Sequence, residues 1–289
     1  MAFEIALLAA FGAMLCWGIG DFLIQRAVWK VGDVEALAFI GVVGTIMLLP
    51  FAFTQLPLMF SGSNLTMLIA IGLLTFIVAI TDFEALKKGK LSVIEIILEL
   101  ELPVTAVLAI YMLNEAVTIP QLAAMSLVFA GIVLIAAKSL SLKNGLAGIE
   151  KGVLIGVAGA IGMGLLNFMT GFGAKTISPL LIIWAPWLFF TIFSLCYIWY
   201  TKTLHTFAAN ALKHKKLLIG MGIFDTLAWL FYAFATAAHN ISIVTAITES
   251  YPAIAIMLGL TLNKEKILPH QFAGAALALG GSVVLAIMI

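Results

Sequence analysis

Apolar runs of about 20 residues recur along the whole chain, and a helix of that length spans the hydrocarbon of a bilayer. "LAFIGVVGTIMLLPFAF" at 37–53 and "LLIIWAPWLFFTIFSLCYIWY" at 180–200 are two of them. Of 289 residues, 63% are hydrophobic and only 10% charged, whereas a soluble domain carries about 25% charged residues. The chain has too little polar surface to dissolve, which points to a polytopic membrane protein. A β-barrel would need segments of about ten residues with alternating polarity. These runs are continuously apolar, so the expected fold class is all-α.

Charges, Pro and Asn turns and segment length predict ten transmembrane helices, near 4–28, 34–54, 65–86, 91–113, 119–137, 152–174, 178–200, 216–238, 241–262 and 270–288. The one long connection, "TKTLHTFAANALKHKKL" at 201–217, sets Leu204, Phe207, Ala208 and Ala211 at helical spacing with lysines elsewhere. It reads as an amphipathic helix lying on the membrane surface. The net charge is +1 and no basic block suggests nucleic acid. Cys16 and Cys196 both lie inside apolar runs, against a disulfide framework. The first apolar run lacks a preceding basic region and is too long for a cleavable signal.

The chain repeats itself. An offset of 150 aligns Gly72 with Gly222, Ser92 with Ser242, Glu99 with Glu249, Glu115 with Glu265, Gln121 with Gln271 and Gly131 with Gly281. Near the start of each half, an offset of 146 aligns Gly18, Asp21 and Phe22 with Gly164, Asn167 and Phe168. The domain reading is a first five-helix repeat at 1–139, a linker at 140–151 and a second repeat at 152–289. Because five is odd, the second repeat enters the membrane from the opposite side. Inverted repeats of this kind are typical of secondary transporters, with the site near the midplane where the halves meet. Fourteen of the 15 Lys and Arg residues fall on one predicted face and only Lys175 on the other. The positive-inside rule makes the crowded face cytoplasmic and puts both termini outside, in a cell (plasma or inner) membrane. Two fused repeats need no partner to complete the pseudo-twofold, so a monomer suffices.

The tandem patterns "LNEAVTIPQLAAMSLVFAGIVL" and "NKEKILPHQFAGAALALGGSVVL", preceded by "ALKKGKLSVIEIILELELP" and "ATAAHNISIVTAITESYP", carry a family likeness. In these motifs the chain resembles an EamA-type, ten-helix member of the drug/metabolite transporter superfamily, over nearly all of its length. The resemblance implies a small-molecule transporter of the bilayer. It leaves the substrate open among amino acids, amines, drugs, sugars and nucleotide sugars. Many ten-helix members keep both termini cytoplasmic, and the lysines here give the opposite orientation.

A charged residue at the bilayer centre costs roughly 2.5 to 3.5 kcal/mol on insertion scales, so an acid there calls for water, a partner or a proton. "VIEIILELELPV" at 93–104 holds three acids. On a helix Glu95 and Glu99 share a face, and Glu101 lies about 200° around from Glu99. The repeat selects Glu99, which maps to Glu249, whereas Glu95 and Glu101 map to Thr245 and Tyr251. Pro103 and Pro252 deprive the carbonyls of Glu99 and Thr248 of helical partners, which places a kink beside each acid. The plainer reading of these prolines is that they shape packing.

Asp21, its repeat partner Asn167, and Asp225 are further intramembrane polar groups. Asp225, Trp229 and Tyr232 at i, i+4 and i+7 give one face with a carboxylate and two aromatics, suited to an amine through charge and cation–π attraction. An interior aromatic packing face explains Trp229 and Tyr232 equally well. Asp82 and Glu84, near Lys87 and Lys88, read as interfacial. Trp184 and Trp187 read as packing. Gly152, Gly156, Ala160 and Gly164 form a stripe of small residues for close helix contact. No metal-ligand spacing, nucleotide loop or nucleophile with its base is found, so no cofactor and no enzymatic activity are expected.

Asp21, Glu95, Glu99, Glu101, Asp225 and Glu249 face no basic residue well inside a span. Burial and mutual repulsion both favour the neutral form of a carboxyl group, so some of these should hold protons near neutral pH. The resulting expectation is a proton-coupled, alternating-access transporter in which Glu99 and Glu249, helped by Asp21 or Asp225, exchange protons for a cationic or amine-bearing solute. One alternative cargo is a neutral or zwitterionic metabolite such as an amino acid. A more remote alternative is a membrane enzyme or scaffold.

Overall fold

The structure, a computed structural model, describes residues 2–88, 98–136, 151–258, 261 and 268–288. Thirteen α-helices are defined among them: α1 Ala2–Val31, α2 Asp33–Ala52, α3 Leu56–Met59, α4 Asn64–Lys88, α5 Glu101–Leu113, α6 Ile119–Ala136, α7 Lys151–Thr176, α8 Leu181–Tyr200, α9 Leu204–Lys213, α10 Lys215–Ala238, α11 Ile241–Thr248, α12 Tyr251–Leu258 and α13 Pro269–Met288. No strand occurs among the described residues. Glu95, Lys90, Ser92, Glu265 and most of the 140–151 linker lie outside them.

Among the described residues, seven helical segments are long and apolar enough to cross a membrane: Glu4–Val31, Asp33–Met59, Asn64–Asp82, Leu154–Thr176, Leu181–Tyr200, Lys215–Ala238 and Pro269–Met288. Helix α5 and residues Ile119–Ile135 of α6 are shorter apolar helices. Large apolar side chains such as Ile46, Ile77, Val107, Ile161 and Ile192 are exposed, which suits a surface facing lipid tails. The protein is an integral membrane protein of helical spans.

The expected spans 91–113 and 241–262 differ in kind, each being broken at a glutamate, and the second shows the reason most fully. The stretch 241–262 reads as a single helix, yet α11 ends at Thr248 and α12 restarts at Tyr251, with Glu249 and Ser250 in a turn between them. Pro252 is the physical reason, because it has no N–H to give the carbonyl of Thr248. In the first turn of α12 the loss costs nothing, since amides there have no acceptor within their own helix. The amphipathic connection folds as α9, where Phe207 stacks on Phe39 at 4.2 Å and Asn210 donates to Glu35 at 2.7 Å.

The chain forms two compact units, each drawing on both halves of the sequence: Met1–Ile80 with Met169–Ala238, and Thr81–Phe168 with His239–Ile289. In the first unit α1 lies against α10, and α2 against α8 and α10. Helices α2 and α8 meet closely at Gly41, where a Cβ would fall 1.9 Å from Thr191 Oγ1.

In the second unit α6 packs along α13 with reciprocal contacts. A Cβ on Gly131 would meet Gly274 and Ala278, and one on Gly281 would meet Ala124 and Val128. Advancing along α6 from 128 to 131 thus retreats along α13 from 281 to 278, so the two helices run antiparallel. Their glutamines are reciprocal too. Gln121 Nε2 donates to the Met288 carbonyl at the end of α13 (3.3 Å), and Gln271 Nε2 to the Ile135 carbonyl near the end of α6 (3.0 Å).

Candidate functional site

All eight residues of α11 are buried, and the helix delivers Glu249 directly after its last turn. Glu249 caps the helix with its own amide, which donates to the Thr245 carbonyl at 2.8 Å. Its side chain is 3% exposed and accepts from Asn167 Nδ2 on α7 at 3.4 Å, Asn167 being 2% exposed. Ser250 completes the break: its hydroxyl pairs with that of Ser282 and reaches the Ala278 carbonyl of α13. These hydroxyl bonds tie the turn to α13.

The first half carries the same break in the same register. Glu99 and Leu100 form a turn and α5 begins at Glu101, as Glu249 and Ser250 precede Tyr251. Pro103 is in the first turn of α5, the position matching Ala253, and Val104 N donates to the Leu100 carbonyl at 3.1 Å. The Oε2 atom of Glu99 is buried. Thr105 ties α5 to α7 by donating to the carbonyls of Glu101 (2.9 Å) and Gly164 (3.0 Å). Gly164, from the expected small-residue stripe, is required there, because a Cβ would fall 2.6 Å from Val104 Cγ1. Both prolines thus start helices after a break, rather than bending a continuous one.

The remaining candidates lie together in the first unit. Asp225 is 8% exposed on α10, which lies against α1, the helix that carries Asp21. Trp229 and Tyr232 pack on each other at 5.9 Å and on Trp17 at 5.1 and 5.6 Å, with Trp187 at 5.8 Å from Trp229. These ring contacts make a dense aromatic cluster. Trp17 was not among the expected site residues. Its signal is the pair Trp17 and Asp21 at i, i+4 on α1, which faces the pair Asp225 and Trp229 at i, i+4 on α10.

Two acids take places that the sequence reading did not assign. Asp82 is not simply interfacial: its Oδ1 is buried, has no hydrogen-bond partner among the described residues, and would lie 2.0 Å from a Cβ on Gly159 of α7. Glu115 holds the start of α11. Neither contact has a local sequence signal, since each partner is far along the chain. Among the described residues no group of three or more His, Cys, Asp and Glu is placed to hold a metal.

Comparison with known proteins returns no match among curated proteins. A solved structure titled "Crystal structure of protein" shares the fold, with a TM-score of 0.74 at 15% identity over 98% of this chain and 96% of that one. The model of the EamA-like transporter family matches residues 4–137 and again residues 150–287. With both halves matched, the chain belongs to the EamA-like transporter family and is built of two repeats.

Proposed function

We propose that the protein is a secondary transporter of ten spans in two inverted five-helix repeats, working by alternating access and exchanging protons for a cationic or amine-bearing solute. Glu249, Glu99 and Asn167 form the binding and coupling group. Asp21 and Asp225 add negative charge in the first unit, with Trp229, Tyr232 and Trp17 as the wall beside them. The observation that carries this reading is the buried Glu249 carboxylate at a helix break, held by a buried amide, with Glu99 at the matching break of the other repeat. An ionisable group kept at membrane depth is functional by default.

The antiparallel, reciprocal packing of α6 and α13 supports the inversion, because a twofold axis relating antiparallel spans lies in the membrane plane. The lysine distribution supports a cytoplasmic basic face and outward termini. A zwitterionic metabolite is the second reading, favoured by one feature: Asn167 can donate to a solute carboxylate while Glu249 takes its ammonium.

Uptake into proteoliposomes carrying a proton gradient, against a panel of polyamines, quaternary ammonium ions, amino acids and amino-acid amides, tests both. Loss of amine uptake in Glu99→Gln and Glu249→Gln is expected. Intact proton-driven uptake in both variants ends the coupling reading. Preference for amino acids over their amides selects the zwitterion.

A further inference from the structure

Helix α11 begins without a cap of its own. Its N-cap residue Asn240 makes no side-chain capping bond and instead donates to the Ala116 carbonyl at 3.0 Å. The amides of Ile241 and Ser242 go to the Glu115 carboxylate, at 2.5 Å to Oε1 and 3.0 Å to Oε2, and the Ser242 hydroxyl joins Oε2 at 2.7 Å. First-turn amides have no acceptor inside their helix, and a carboxylate there also offsets the positive end of the helix dipole. Capping groups are ordinarily local, whereas this one arrives from 126 residues earlier in the chain. Asn114, in the left-handed conformation at φ 52°, ends α5 and turns Glu115 toward α11.

The other end of α11 carries Glu249. Eight residues at 1.5 Å each make a rod of about 12 Å, and a fully buried rod transmits the placement of one end to the other. We propose that Glu115 is a positioning residue: by clamping the first turn of α11 it holds Glu249 in register with Asn167. The proposal rests on the reading of Glu249 as the coupling carboxylate. Glu115 and Ser242 also recur at the offset of 150, as Glu265 and Ser92, which lie outside the described residues.

The test uses the detergent-purified full chain. Hydrogen exchange by mass spectrometry reports the clamp, and labelling of Glu249 by dicyclohexylcarbodiimide, a hydrophobic carboxyl reagent, reports its placement. Glu115→Gln should speed amide exchange across 241–249 by about tenfold or more, leave α6 and α13 unchanged, and alter Glu249 labelling several-fold. Ser242→Ala, which keeps the carboxylate, should shift both readouts less and in the same direction, and Glu115→Asp should partly restore them. Unchanged exchange in Glu115→Gln overturns the clamp, and faster exchange with unchanged Glu249 labelling overturns the positioning role. Thermal stabilisation by spermidine, compared between the native chain and Glu249→Gln, is the separate arm. If that stabilisation survives Glu249→Gln, the coupling reading fails and the clamp stands on its own data.

Discussion

Asn167 donates its side-chain amide to Glu249 across 3.4 Å, and both side chains are almost wholly buried. Removing the amide takes a donor from a buried carboxylate. Bonds to charged groups are worth about 1.5–3 kcal/mol, and at 3.4 Å this one falls at or below the low end of that range. Asn167→Ala should therefore lower thermal stability slightly and solute affinity by several-fold, while Asn167→Asp, which sets two carboxylates together, should do more harm. Thermal unfolding with and without solute measures both, and a native-like Asn167→Asp would disprove the pairing.

Pro252 separates stability from function. It occupies the first turn of α12, where a missing N–H costs nothing, so restoring an N–H cannot repair a stability defect. Pro252→Ala instead offers the Thr248 carbonyl a donor and favours a helix running through Glu249 and Ser250. The expected result is unchanged or raised stability, within about 1 kcal/mol, with a marked fall in transport. Full transport in a more stable Pro252→Ala protein would mean that the break is dispensable.

Asp82 and Gly159 make a mutually dependent contact. A methyl at 159 would sit 2.0 Å from Asp82 Oδ1, so Gly159→Ala must expel the carboxylate from its seat on α7. Overpacking of this kind costs about 1–3 kcal/mol. Asp82→Ala clears the space, so the double variant should be more stable than Gly159→Ala alone, a coupling that a four-protein thermal cycle measures. Additive losses would show that the two residues do not share that space.

These residues mark how far the sequence reads the molecule. Helical spans follow from apolar length alone, and the repeat picked Glu99 and Glu249 because a shared register survives where packing details diverge. The break at Glu249 was legible as Pro252, but its extent depends on Ser250 and Ser282, which meet only in three dimensions. Trp17 was within reach through its i, i+4 relation to Asp21. Asp82 and Glu115 were not, because a carboxylate on a distant glycine or on another helix's amides leaves no local pattern. Glu95 lies outside the described residues.

Gly131 and Gly281 occupy matching positions in the two repeats, yet their substitution should not cost the same. A Cβ at Gly131 would meet backbone, 2.6 Å from the Ala278 amide nitrogen and 2.7 Å from the Gly274 carbonyl oxygen. Backbone can yield only by moving α13 away from α6. At Gly281 the nearest atom, at 2.7 Å, is Val128 Cγ2, and the backbone comes no closer than 3.3 Å. That methyl must also shift, but it can do so without moving either helix backbone. Alanine also gains about 1 kcal/mol over glycine inside a helix. Overpacking costs about 1–3 kcal/mol, so Gly131→Ala should lose up to about 2 kcal/mol net of that gain, while Gly281→Ala loses less. Apparent melting temperatures of the two variants in one detergent give the order. Equal losses, or a larger loss at Gly281, would contradict this packing of α6 on α13.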